Sequence, residues 1–127
     1  MILGIGVDLV HVARIGQALD RFGERMKRRL FTPGEIAWCE GRVSPAQHFA
    51  VRFAAKEAFL KALGTGKRAG IPWREVEVVR EDSGRPRLVL HGQAKLLCDS
   101  RGIRQALVSL THDGEYGAAQ VVLEGEG

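Results

Sequence analysis

The sequence lacks most of the features that mark specialised protein classes. No apolar run approaches the roughly 20 residues of a membrane span, which argues against a membrane as partner. The start, Met1-Ile2-Leu3-Gly4-Ile5-Gly6, has neither the basic flank nor the cleavage site of a secretory leader. Cysteine is scarce: Cys39 and Cys98 are the only 2 among 127 residues, far apart and without the CxxC spacing of a zinc or redox site. The 4 histidines are not spaced as zinc ligands, and neither GxSxG nor HExxH occurs. Repeats, low-complexity tracts and linkers are missing too. These absences predict a single cytoplasmic domain over residues 1–124, with reduced thiols and a short frayed tail at 125–127.

Two glycine patterns fail on inspection. Gly4-Ile5-Gly6 opens like a dinucleotide fingerprint, but Leu9 occupies the third glycine position. Gly64-Thr65-Gly66-Lys67 has the look of a phosphate loop. Lys61, however, replaces its first glycine, and Arg68 replaces the hydroxyl residue that such a loop uses for magnesium.

What is present reads as an α+β domain. Ile2 to about Val12 reads as a strand, with Leu3, Ile5, Val7 and Leu9 on one side and Gly4, Gly6, Asp8 and Val10 on the other. Two glycines and an aspartate on one face predict close approach of backbone or ligand. A helix follows across Ile15 to Phe22, interrupted near Gly23. Thr32-Pro33-Gly34-Glu35 has the form of a capping box that opens a short helix through Cys39. Asp82-Ser83-Gly84 and Asp113-Gly114 each sit between strand-like runs and predict hairpins, with a helix from Gly92 to Ser100 between them. Segregated helices and mainly antiparallel strands define the class.

The net charge of +4 is bunched. Arg14, Arg21, Arg25 and Arg28 recur at helical intervals, thickened by Lys27 and Arg29. The bland reading is a solvated helix face; the functional one is a docking surface for an acidic partner. Few aromatics interleave with these arginines, so single-stranded nucleic acid would find no stacking platform.

Glu57 is the most informative residue. It stands alone in an apolar helix that Ser44 can cap, that suits Pro45 at its first position and that Gly64 can stop. At about 100° per residue, Phe53 and Leu60 flank it on one side and Ala50 and Ala54 on the other. An unpaired carboxylate buried there would cost several kcal/mol, so it needs a cation, a proton or hydrogen bonds. An ion pair with Lys61 at i+4 is the plain structural answer; a metal ion or a reacting proton is the chemical one. Magnesium takes one or two carboxylates together with substrate phosphates. Asp8 and Glu57 can supply the carboxylates, while Lys56, Lys61, Arg52 and His112 can hold phosphate oxygens. Together they point to phosphoryl chemistry on a nucleotide-like substrate. A metal-dependent nucleotide hydrolase would use the same set. A non-enzymatic nucleic-acid-binding module would need only the basic face, and the two carboxylates would repel DNA.

Three blocks resemble the bacterial holo-acyl-carrier-protein synthases, which are small 4′-phosphopantetheinyl transferases. They are Gly4-Ile5-Gly6-Val7-Asp8-Leu9-Val10, the run from Arg52 through Lys56-Glu57 and Lys61 to Gly66, and Ser109-Leu110-Thr111-His112-Asp113; Phe31-Thr32-Pro33-Gly34-Glu35 is similar as well. Thr111 stands where the family usually has serine. The resemblance implies the family's fold, a mainly antiparallel sheet packed with a long central helix. It also implies a reaction: a carrier-protein serine attacks the pyrophosphate of coenzyme A, taking phosphopantetheine and releasing adenosine 3′,5′-bisphosphate, in fatty acid biosynthesis.

By the same resemblance, Asp8 and Glu57 would hold Mg2+, and Glu57, directly or through a metal-bound water, would take the serine proton. Lys61 would assist the leaving group. Arg52, Lys56, Gly64, Thr111 and His112 would contact coenzyme A, with Gly84 and Pro86 in a turn bordering the adenine. Arg14, Arg21, Arg25 and Arg28 would dock the acidic carrier. Family members act as homotrimers. Here that would place Asp8, Glu57 and Lys61 on one subunit and Gly84, Pro86 and His112 on the next.

Overall fold

The computed structural model describes residues 1–126, apart from the side chains of Lys67 and Arg68. Gly127, in the expected frayed tail, and those two side chains, weighed for a phosphate loop, lie outside the described residues. Gly125 is not frayed. It belongs to the last strand, and its N–H and carbonyl both bond to Met1.

In chain order the elements are β1 (Ile2–His11), α1 (Val12–Leu30), α2 (Pro33–Glu40), α3 (Pro45–Leu63), β2 (Val76–Arg80), β3 (Pro86–Leu90), α4 (Gly92–Ser100), β4 (Ile103–Asp113) and β5 (Tyr116–Gly125). Short 3-10 turns at Gly66–Ala69 and Trp73–Glu75 join α3 to β2. Strands β1, β5 and β4 form one antiparallel sheet in that order; β2 and β3 form a separate antiparallel hairpin. No helix among the described residues is long and apolar enough to cross a membrane.

α3 is central because its sequence is apolar nearly all round, and such a helix must be covered on every side. Phe49, Val51, Phe59, Leu60 and Leu63 are buried together with five alanines. Each large side chain contributes about 1.5–3 kcal/mol on burial. The alanines allow close approach, and β1 exploits it. A Cβ at Gly4 would overlap the Ala62 carbonyl oxygen, and one at Gly6 the Ala58 carbonyl oxygen. The strand therefore lies flush on α3 through its glycine side. Ile5, Val7 and Leu9 point the other way, 60 %, 60 % and 68 % exposed.

The local signals act largely as read. Thr32 and Glu35 form a complete capping box. Gly64 stops α3 in the left-handed conformation with φ 78°. Ser44 sits at the N-cap of α3, but its side chain makes no capping bond. α1 starts at Val12, earlier than Ile15, and continues past Gly23 as a kinked helix because that glycine adopts φ 64°, ψ −153°. The kink divides the arginine face: Arg14 and Arg21 lie before it, Arg25 and Arg28 after it, all four exposed.

Candidate active site

The close seating of β1 on α3 brings Asp8 to the face of the helix that carries Glu57 and Lys61. Lys61 Nζ lies 2.8 Å from Asp8 Oδ1 and donates to the Val7 carbonyl at 3.2 Å. The aspartate side chain is only 12 % exposed, the lysine 53 %. Lys61 is thus held by Asp8, and the i+4 pair with Glu57 that the helix spacing allowed does not form. The half-buried Glu57 carboxylate has no ion pair or hydrogen bond among the described residues. Burial pushes its pKa up, the nearby Asp8 charge pushes further, and Lys61 only partly offsets them. Lys61 is held above its ordinary value, chiefly by the hydrogen bond to Asp8.

Two adjacent carboxylates, one without a partner, form a hard oxygen-donor pair that a divalent cation would relieve. No group of three or more metal-ligating side chains occurs among the described residues. Asp8 and Glu57 would be the residues to hold such a cation, and two carboxylates are what magnesium usually takes from a protein.

Lys56 does not belong to this site. Its ammonium is fully buried and donates to Glu35 Oε1 at 2.8 Å, the Val76 carbonyl at 2.7 Å and the Trp73 carbonyl at 3.1 Å. Three acceptors consume all three N–H donors, so none is left for a coenzyme A phosphate. Glu35 in turn accepts from the Thr32 and Val78 amides. The capping-box glutamate thus ties α2, α3 and β2 together, and Lys56 is structural.

A second constellation lies on another face of α3, roughly 140° around the axis from Glu57 at Arg52. Arg52 is buried, its Nε has no partner, and its Cζ lies 4.0 Å from the Trp38 ring centroid. His48 and His112 make an edge-to-face ring contact at 6.3 Å. Arg80 donates to the Gly84 carbonyl at 2.6 Å, which brings the Gly84–Pro86 turn to the same end of the molecule. A small cleft beside that turn is lined by Arg85, Pro86, Gln105 and Leu107. Within one chain, no contact among the described residues joins His112 or Gly84 to the Asp8–Glu57–Lys61 group. Gly64 sits at the C-terminal end of α3, three positions after Lys61. Thr111 is exposed on the face of β4 opposite His112, level with Ala118 of β5 and, beyond it, Leu9 of β1.

The sequence profile of the 4′-phosphopantetheinyl transferase superfamily matches residues 4–120. The chain belongs to this superfamily. Among curated superfamily members, the holo-[acyl-carrier-protein] synthase of Koribacter versatilis is 48% identical over 124 residues, covering 98% of this chain and 99% of that protein. That of Syntrophotalea carbinolica is 51% identical over 122 residues, covering 96% and 95%. Among solved structures, the Neisseria meningitidis synthase superposes with a TM-score of 0.90 at 33% identity, over 98% of this chain and 99% of that one. The Helicobacter pylori synthase, solved in complex with coenzyme A, gives 0.83 at 29% identity, over 94% and 99%.

As a superfamily member, the chain carries residues that its motifs did not single out. Trp38 has Arg42, His48 and Arg80 around its ring, together with Arg52. The available signal was the pair of i, i+4 steps, Trp38 to Arg42 and His48 to Arg52, each placing a cation one turn from a ring. A groove between α1 and α3 also escaped notice: Phe22, Arg25, Met26, Arg29 and Leu30 face Phe53 and Trp73. Neither cysteine adds chemistry, since burial pushes the Cys39 thiol up to about 11 and raises Cys98 as well.

Proposed function

We propose that this chain transfers 4′-phosphopantetheine from coenzyme A to a serine of an apo acyl carrier protein, in fatty acid biosynthesis, with Asp8, Glu57 and Lys61 at the centre of the reaction. The observation that carries the assignment of residues is the carboxylate pair itself, with Glu57 unpartnered and Lys61 against Asp8. Asp8 and Glu57 would hold Mg2+, which when bound stabilises charge on the transferring and leaving phosphate oxygens. Glu57 takes the proton of the carrier serine as the serine oxygen bonds to the pantetheine-bearing phosphorus. The bond from that phosphorus to the bridging oxygen breaks, and adenosine 3′,5′-bisphosphate leaves. Lys61, half exposed at the rim, neutralises the diphosphate and the leaving charge.

Arg52 and His112 hold coenzyme A phosphates, the 3′-phosphate included; Thr111 and Gly64 contact the same substrate, and the Gly84–Pro86 turn borders the adenine. His112 and the Gly84–Pro86 turn lie away from the carboxylates, and in this reading they belong to the next subunit of a homotrimer that shares its sites. The outward sheet face supports this reading. Ile5, Val7 and Leu9 of β1 continue across Val122 of β5 to Leu107 of β4, and such an apolar surface is costly to leave in water. The exposed Arg14, Arg21, Arg25 and Arg28, beside the Phe22–Met26 groove, receive the acidic carrier. The two free, buried thiols accord with a cytoplasmic location.

The test is to incubate the protein with coenzyme A, Mg2+ and apo carrier protein and to weigh the carrier by mass spectrometry. A gain of one phosphopantetheine mass, lost when the metal is chelated, is expected. Cleavage of coenzyme A with no change in carrier mass would instead identify a hydrolase.

A further inference from the structure

Trp38, Arg42, His48 and Arg80 have no role in the steps above, yet they crowd around Arg52 and His112, which do. Trp38, on α2, has the guanidinium carbons of Arg42 at 4.1 Å, Arg52 at 4.0 Å and Arg80 at 5.4 Å from its ring centroid. The His48 ring meets it edge-on at 5.0 Å and reaches on to His112. These side chains come from the α2–α3 loop, α3 and the ends of α2, β2 and β4, so the fold gathers them from distant parts of the chain. The acids nearby are already engaged: Glu35 by Lys56 and Glu40 by Lys27.

The crowding has an electrostatic cost. Burial, then Arg52, His112, Arg80 and Arg42, lowers the His48 pKa. Arg52 is likewise lowered, first by burial and then, among its neighbours, by Arg80 and Arg42, against the opposing pull of Cys39 and Glu35. Arg52 is 1 % exposed with an orphaned Nε, so water does not supply the missing compensation. The indole supplies part of it, because a cation over an aromatic face is attracted to the ring quadrupole, more strongly when desolvated. An anion seated on the exposed Arg42 and Arg80 beside it would supply the rest.

We propose that Trp38 is a positioning residue for the 3′-phosphate of coenzyme A: its ring fixes the exposed guanidinium of Arg42 as a preset donor beside the buried positive charge of Arg52. The inference rests on coenzyme A being the substrate and on Arg52 serving its phosphates. The monoester, rather than the diphosphate, is the group that fits. The diphosphate travels with a divalent cation and belongs beside the free carboxylates of Asp8 and Glu57. The Trp38 cluster offers cations and no free carboxylate, which suits a phosphate that carries two negative charges alone. Planar guanidiniums bind phosphate through paired N–H donors, so their orientation matters as much as their charge.

The experiment compares coenzyme A with dephospho-coenzyme A, which lacks only the 3′-phosphate, in parent, Trp38→Leu and Trp38→Phe. Trp38→Leu should raise KM for coenzyme A about tenfold, the order set by losing desolvated cation–π contacts, while kcat stays within about twofold. KM for dephospho-coenzyme A should not change, and Trp38→Phe should restore most of the loss. A parent that uses both nucleotides with equal KM would overturn the phosphate assignment itself. If the parent discriminates and Trp38→Leu discriminates equally well, the role of Trp38 alone is refuted. Equal damage on both substrates, or a Phe variant as poor as Leu, refutes it too. Should Trp38→Leu fail to fold, Trp73→Phe leaves Trp38 as the sole indole of the 2 in the chain. Its fluorescence should then respond to adenosine 3′,5′-bisphosphate and not to adenosine 5′-monophosphate; an equal response to both would refute the proposal.

Discussion

Replacing Lys56 with alanine should cost stability, not substrate affinity. The ammonium loses contacts at 2.7, 2.8 and 3.1 Å, and Glu35, equally buried, is left as an anion without its cation. Breaking one partner of a buried pair costs about 3–5 kcal/mol. Glu35 keeps two amide donors, at 2.9 Å from Thr32 and 3.0 Å from Val78, which places the loss toward the lower end. Against a total stability of about 5–15 kcal/mol this is a large fraction. With an unfolding entropy near 2.1 cal/mol/K per residue, a 127-residue chain should melt roughly 10–20 °C lower. Urea unfolding at 15 °C gives the free energy; steady-state kinetics on the folded protein gives KM for coenzyme A, which should move less than about twofold. The companion variant Lys56→Met with Glu35→Gln removes both charges, keeps the cap, and should recover part of the loss. A Lys56→Ala protein with an unchanged midpoint and a many-fold higher KM would refute the reasoning and return Lys56 to the phosphate site.

Glu57→Gln should abolish transfer, and its effect on stability has a definite sign. A carboxylate whose folded pKa is raised is a liability once ionised, so the metal-free variant should melt above the parent at neutral pH; the gap should close as pH falls through Glu57's folded pKa. Magnesium should raise the parent's melting point and leave that of Glu57→Gln unmoved; calorimetry with and without metal checks both. Lys61→Ala should lower turnover far more than coenzyme A affinity, and equal turnover would leave Lys61 as no more than the partner of Asp8. Charge reversal at Arg14 and Arg21 should raise KM for the carrier and spare that for coenzyme A, with the parent's carrier affinity falling as salt rises. Mixing inactive Glu57→Ala and His112→Ala chains should regenerate about one quarter of the sites if subunits assemble at random in a ring. Verified mixed trimers without activity would exclude the shared site.

Local signals were legible in the sequence because their causes are local. The capping box at Thr32 and Glu35, the stop at Gly64 and the hairpin turn near Gly114 each depend on residues within a few positions of one another, although the turn residues are Gly114 and Glu115, with Asp113 still paired in β4, rather than Asp113 and Gly114. The outline of the carboxylate site was also legible, since a lone Glu57 in an apolar helix demands an explanation. The partner of Lys56 was hidden because Glu35 is 21 positions away and already had a local role as a cap. The nearness of Asp8 to Lys61, 53 positions apart, depends on how closely a strand can approach a helix, which no spacing rule encodes. The Trp38 cluster was hidden for the same reason: its members meet only after α2, α3 and the strand ends have packed.

β1 also carries its own proofreading. Side chains alternate along a strand, so a slip of one residue against β5 would turn Ile5, Val7 and Leu9 toward α3 and Asp8 away from it. Against α3 there is no room even for a Cβ at the glycine positions, so the slipped strand could not close onto the helix at all. Many strands pair in a neighbouring register at modest cost and linger there as kinetic traps. Here the wrong register is shut out by steric exclusion before any hydrogen bond is weighed, which leaves the landscape around this strand with one compact solution.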